Sequence, residues 1–297
     1  MVTRWLMGTL VVKHYPTKLF AQAADHTYVE CGTGAVSWSC WGGSQGGAVL
    51  RQATGSTQRA NSIAQPNERA GITCYLINGV CHQAANRILL PAGITVNGAR
   101  GYQVSQGMFG PYGRVGRWPC RAPFNQNIGV TGDIASCLPP PGVAASAAPR
   151  SGADQVDRAY ILGALAIYEQ FSGLPLEAPG PEGEMLGAPV EFQMSLFEYM
   201  LEFRVGAMLD EAQKRSLLDV RHEIELRRIE IEPRQEQDGL LAPEFVEEFN
   251  RLTIEFQQRM GNEMTDTQYE TLFQLRKDEL VVLADPAITN REPESYQ

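Results

Sequence analysis

Histidine is scarce in this sequence, with four in 297 residues, and no two of its six cysteines form a Cys-x-x-Cys pair. The scarcity means each imidazole can be placed individually. The missing pair removes the usual spacing of a zinc ribbon or finger, and no metal or cofactor is expected. No run approaches the ~20 apolar residues that cross a bilayer, so no membrane span is expected. A dense Lys/Arg tract is also missing, which argues against a nucleic-acid partner. The second half has no paired Glu-x-x-His set, which argues against a di-iron bundle. A clean secretion signal is lacking too. Arg4 precedes the apolar run Trp5–Val12, and Ala21-Gln22-Ala23 looks like a small-residue cleavage site, but Lys13, His14, Pro16 and Lys18 intervene. The run is read as a strand and the chain as cytoplasmic, where thiols stay reduced.

What the sequence does contain is segregated. Residues 1–150 carry a charge balance of +8 and residues 151–297 one of -17, while all six cysteines and 20 of the 29 glycines fall in the first half. A basic half suits an acidic partner, which the other half of the chain could itself supply. The expected fold class is α+β. It divides into a sheet-bearing unit over residues 1–140, a Pro/Ala/Ser linker over 141–155, an acidic helical unit over 156–285 and a polar disordered tail over 286–297.

Short apolar and alternating runs predict strands over Met7–His14, His26–Glu30 and Ala35–Trp41, with Thr33-Gly34 as a hairpin signal. Residues 42–65 read as a polar loop and residues 94–118 as a Gly-punctuated β pattern. One helix is expected in this half, capped by Asn78 and running from Val80 to Leu90 until Pro91 and Gly93 stop it. In the second half helices are expected over Asp154–Phe171, over Val190–Ile231 with a break near Gly206, over Pro243–Met260 and over Thr265–Leu283. Two helix starts resemble each other, Asp210 to Gln213 and Thr265 to Gln268, each leading into a Leu-rich face.

Cys81 is the principal candidate for chemistry. A thiol in the first turn of a helix faces unpaired N–H groups and the positive end of the helix dipole, both of which favour thiolate, the nucleophilic form. The same amides can hold an oxyanion. An imidazole must then manage the proton. His26, at the start of a strand in the same unit, is the first choice. His14 ends a strand before a turn, His82 is adjacent to Cys81 and diverges from it by about 100° on a helix, and His222 lies in the acidic half. His82, Asn86, Ser37 and Ser39 are supporting candidates, and Trp38 and Trp41 are candidate pocket walls.

The segments Asp25-His26-Thr27-Tyr28-Val29 and Asn78-Gly79-Val80-Cys81-His82-Gln83-Ala84-Ala85-Asn86 carry a resemblance to the circularly permuted papain-like hydrolases. These include the lecithin–retinol acyltransferase-like enzymes and related bacterial cell-wall amidases. The resemblance covers about residues 5–115. It implies a small papain-like sheet with Cys81 as nucleophile, His26 as base and acyl chemistry on an amide, ester or thioester of a peptide, protein or small molecule. The family's third polar residue comes from the strand after the histidine, where Ser37 and Ser39 are the nearest groups here, so the orienting residue stays open. The alternative is a non-catalytic binding or structural protein with buried or bridged cysteines. On either reading the C-terminal helices offer a surface for a protein partner or a second copy.

Overall fold

The computed structural model describes residues 7–16, 23–31, 36–39, 47–64, 70, 72, 75–114, 152–172, 190–234, 236–237 and 240–284. Strands β1 (Met7–Pro16), β2 (Asp25–Cys31), β3 (Val36–Ser39) and β4 (Ala48–Ser56) form one antiparallel sheet in the order β3-β2-β1-β4. Two-residue alternation sends Leu10 and Val12 of β1 and Val29 and Cys31 of β2 to a common face. There they are buried against Ala60 and Ile63 of α1 (Thr57–Ala64) and against Ala85, Ile88 and Leu89 of α2 (Cys81–Leu89).

Two expectations for this half are corrected. The polar stretch 42–65 contains β4 and α1 within its described part. β4 is a half-exposed edge strand defined by its ladder to β1 and not by an apolar run. Its register slips at Leu50, since Val12 opposes Arg51 while Lys13 opposes Val49. The glycine-rich stretch 94–118 contains α3 (Tyr102–Phe109) instead of strands. Gly101 (φ +80°) and Gly110 (φ +73°) bracket that helix in backbone regions that other residues rarely adopt. A Cβ on Gly101 would lie 2.6 Å from Ala24 Cβ, so glycine is also what lets α3 approach the entry to β2. The Thr33-Gly34 turn, Trp41, residues 141–151 of the linker and the C-terminal tail lie outside the described residues, while the last four residues of the expected linker, 152–155, already belong to a helix.

The second half is built from α4 (Gly152–Ser172), α5 (Val190–Val205), α6 (Glu211–Ile231), α7 (Pro243–Glu263) and α8 (Asp266–Phe273), with a small hairpin of β5 (Glu236–Gln237) and β6 (Leu240–Leu241) before α7. The break near Gly206 is a single 3-10 turn, Gly206–Met208. α8 is shorter than its sequence suggests. It ends at Gln274 (φ +56°), after which Val281 N donates to Gln257 Oε1 and Val282 O accepts from Ala24 N. The two similar helix starts meet in space. Asp210 caps Gln213 N, Thr265 caps Gln268 N, and the two glutamine amides bond each other reciprocally at 3.0 and 3.2 Å.

The fold is therefore α+β, and its largest core is shared between the halves. Val80, Val104, Met108 and Phe109 are buried in one cluster with Phe197, Leu217, Phe249 and Phe256. Beside it, Arg114 reaches Glu232 at 2.6 Å and Glu225 at 3.1 Å, Arg228 bonds the same pair of carboxylates and Arg221 bonds Glu225, all five side chains being buried. Among the described residues no helix is long and apolar enough to cross a membrane.

Candidate functional site

Cys81 is the first residue of α2. The residues that follow are good helix formers, so the helix starts here without a Ser, Thr, Asp or Asn cap. The expected cap, Asn78, is displaced by Val80, whose amide donates to Gln83 Oε1 at 3.0 Å. Asn78 lies in the preceding turn, where its carbonyl accepts from Arg114 N. That turn holds Leu76 at φ +64°, an uncommon conformation for a branched residue, and Tyr75 packs from it against Cys81, Ile72 and Ala84. The Tyr75 hydroxyl donates to Leu283 O at 3.1 Å, so the C-terminal segment helps hold this cover.

All nine residues of α2 are buried, and its polar side chains are structural fasteners. Asn86 donates to Pro111 O and Tyr102 Oη and accepts from Val96 N. Arg87 donates to Tyr112 O and Ala70 O. Gln83 donates to Gly110 O. Asn86 thus belongs to a buried network, not to solvent.

The N-terminus of α2 meets β2 at Asp25–Thr27. Cys81 Sγ is 4.0 Å from Asp25 O, the one hydrogen-bond acceptor it faces. Burial pushes the thiol up to about 11, against the opposing pull of the Thr27 amide, the Thr27 hydroxyl and the His82 amide, all of which favour the thiolate. Thr27 Oγ1 is buried and has no partner of ordinary hydrogen-bond geometry, which leaves it available to the sulfur. Cys31 is the other described free thiol, and burial pushes it up to about 12.

The structure does not bring His26 to the sulfur. In the β1–β2 register His26 opposes Tyr15 and Thr27 opposes His14. Alternation along β2 therefore puts His26 on the face of Tyr28 and Glu30, opposite to Asp25, Thr27 and Val29. His26 is buried there. The sulfur makes no hydrogen bond to an imidazole of the described residues.

His14 stands on the α2 side of the sheet, directly across from Thr27. Its Nδ1 lies 2.7 Å from Asp25 Oδ2, and that carboxylate oxygen also accepts from Arg100 N at 3.1 Å. The His14 side chain is 26% exposed, which leaves its other nitrogen open to exchange protons. Asp25 and Thr27 were not candidates from sequence, although alternation signalled them. Leu10, Val12 and His14 form one stripe, and Asp25, Thr27, Val29 and Cys31 form its partner, which puts a carboxylate and an imidazole on an apolar face.

His82 is fully buried between β2 and α3, and burial pushes it down to about 4 despite the nearby Asp25 carbonyl and carboxylate. Ser37 and Ser39 pair with Glu30 and Tyr28 in the β2–β3 ladder, and Trp38 pairs with Val29. That places all three further along β2 than the Asp25–Thr27 segment that meets Cys81. Among the described residues no group of three or more His, Cys, Asp or Glu is placed to hold a metal ion. Comparison with protein-family models, with curated proteins and with solved structures found no match.

Proposed function

We propose that this chain is a cysteine-dependent hydrolase or acyltransferase acting on an amide, ester or thioester. The observation that carries the reading is the set of donors around Cys81 Sγ at the start of α2. Apart from the neighbouring Asp25 charge, burial is what keeps this thiol protonated. Once substrate or solvent reaches the sulfur, that penalty falls and the Thr27 and His82 donors favour the thiolate.

His14, bonded to Asp25 and part-exposed on this face of the sheet, serves as the base. In the reaction the Cys81 proton passes to the open nitrogen of His14, and the sulfur attacks the carbonyl carbon. The leaving amine, alkoxide or thiolate takes the proton back as its bond to carbon breaks. Water or an acceptor nucleophile, deprotonated by His14, then cleaves the thioester and restores the thiol. The reading requires a movement that brings His14 and the sulfur together, since the two are not bonded in the described geometry.

The test is the pH dependence of iodoacetamide labelling at Cys81, read by mass spectrometry in wild type, His14→Ala and His26→Ala. A midpoint below 9 in wild type that rises in His14→Ala alone is the expected result. A rise in His26→Ala alone keeps the nucleophile and reassigns the base. Slow labelling below pH 9 in all three proteins removes the reading. It would favour the second one, a non-catalytic protein in which Cys81 is a packing thiol, which the sulfur's burial and high pKa support.

A further inference from the structure

β2 pairs with β3 from Tyr28 onward, so the described β3 provides no partner for the outer edge of β2 at Asp25–Thr27. Other groups complete it. Asp25 N donates to Arg100 O at 2.9 Å, and Asp25 O lies 2.8 Å from His82 Nε2. An imidazole thus takes the place of a strand's N–H at the point where the sheet meets Cys81.

Proton counting fixes the state of that imidazole. Three close contacts run in series, Asp25 O to His82 Nε2, His82 Nδ1 to Ser105 Oγ at 2.8 Å, and Ser105 Oγ to Tyr102 O at 2.8 Å. Both ends are carbonyls, which only accept. Neutral His82 and Ser105 supply one proton each, one fewer than the contacts. If the imidazole proton sat on Nδ1, two lone pairs would face each other at Asp25 O. The neutral arrangement that satisfies both ring nitrogens has the proton on Nε2 and the Ser105 hydroxyl turned to Nδ1, which gives up donation from Ser105 Oγ to Tyr102 O. The ring is held in plane by Tyr102, which meets it edge-on at 5.8 Å, and Gln83 Nε2 supports Ser105 Oγ at 3.4 Å. The charged groups nearest this chain are Asp25, whose carboxylate is held by His14 and Arg100 N, and Arg100 itself.

We infer that His82, held as the Nε2–H tautomer, is the positioning residue of the thiol centre, a role that rests on the reading proposed above. By holding the Asp25 carbonyl to α2 and α3 it sets the Thr27 amide and hydroxyl against the Cys81 sulfur, and the Asp25 carboxylate against His14. It touches no reacting atom in this role.

Two measurements on the full chain test this. In histidine-labelled wild type at pH 7, long-range proton–nitrogen correlation spectra report the His82 tautomer, and Nε2–H is expected. Iodoacetamide labelling of Cys81 is then followed against pH in His82→Gln, whose amide can reach Asp25 O, and in His82→Phe, which fills the space without a donor. His82→Gln is expected to keep the wild-type midpoint. His82→Phe is expected to raise it by about one unit, a tenfold loss of thiolate at a given pH below the midpoint. An Nδ1–H tautomer overturns the inference, as does a folded His82→Phe with an unchanged midpoint. If His82→Phe does not fold, a His82→Gln midpoint shifted as far as that of an unfolded thiol overturns it as well. Slow labelling of wild type together with the Nε2–H tautomer removes the thiol reading and with it the positioning role. Fast labelling with the wrong tautomer removes the role of His82 alone.

Discussion

At the residue scale, the buried imidazole and the buried thiol make opposite demands on pH. Burial holds His82 at about 4 in the folded chain, below the 6.5 of an open histidine. The unfolded chain therefore takes up a proton first as pH falls. The contribution of His82 to stability is complete above about 6.5 and is lost progressively as pH falls from there to about 4, amounting to about 3 kcal/mol over that window. Urea unfolding between pH 4 and 7 should show this slope, and His82→Gln should flatten it. Burial pushes the Cys81 thiol the other way, up to about 11. The placing of Cys81 at a helix start was legible in the sequence because Pro91 and Gly93 end the helix that follows it. The base was harder to read. Choosing between His14 and His26 requires the β1–β2 register, and one residue of slip exchanges the two faces.

Elements show the same division between local and distant causes. Strands β1 to β3 and helix α2 follow from apolar periodicity and from Pro91 and Gly93. β4 and α3 did not, because each is defined by its neighbours. β4 is exposed on much of its length and is a strand because β1 offers it a ladder. α3 is a short helix whose glycine boundaries look like turns between strands until Gly101 is seen pressed against Ala24. Gly101→Ala should therefore cost more than an ordinary glycine change, about 2 kcal/mol or more from combined backbone strain and overlap, measured as a lowered urea midpoint. The turn before α2 is a different kind of element, since it covers the sulfur. Tyr75→Phe removes the bond to Leu283 O and leaves the ring in place. It should raise the Cys81 labelling rate several-fold with little change in circular dichroism, because a cover that loses a hydrogen bond of about 1 kcal/mol opens more often.

For the whole molecule, the charge asymmetry was visible in the sequence, but its use was not. The basic first half sends Arg114 into a buried group with Arg221, Arg228, Glu225 and Glu232 on the acidic side. Burial alone would raise the Glu225 carboxyl, yet Arg228, Arg221 and Arg114 together hold it well below the usual carboxylate range. Its contribution is present above about pH 4.5 and is lost as pH falls below that value. Glu225→Gln takes the carboxylate from Arg221 and leaves Glu232 to face both Arg114 and Arg228, and should cost about 3–5 kcal/mol, read from chemical denaturation at pH 7. Because Val80, Val104, Met108 and Phe109 share a core with the helical half, residues 1–150 produced alone should lack the dispersed amide spectrum of a folded protein.

The partners of Arg114 also set a clock. Its charge is placed in the chain 118 residues before that of Glu232. At translation rates of about 5–20 residues per second, roughly 6 to 24 seconds separate the two. For that interval the nascent first half carries a cation with no place to bury it. The segment that bears Cys81 therefore cannot reach its final packing until most of the acidic helices have been made, and the surroundings of that thiol are completed late in synthesis.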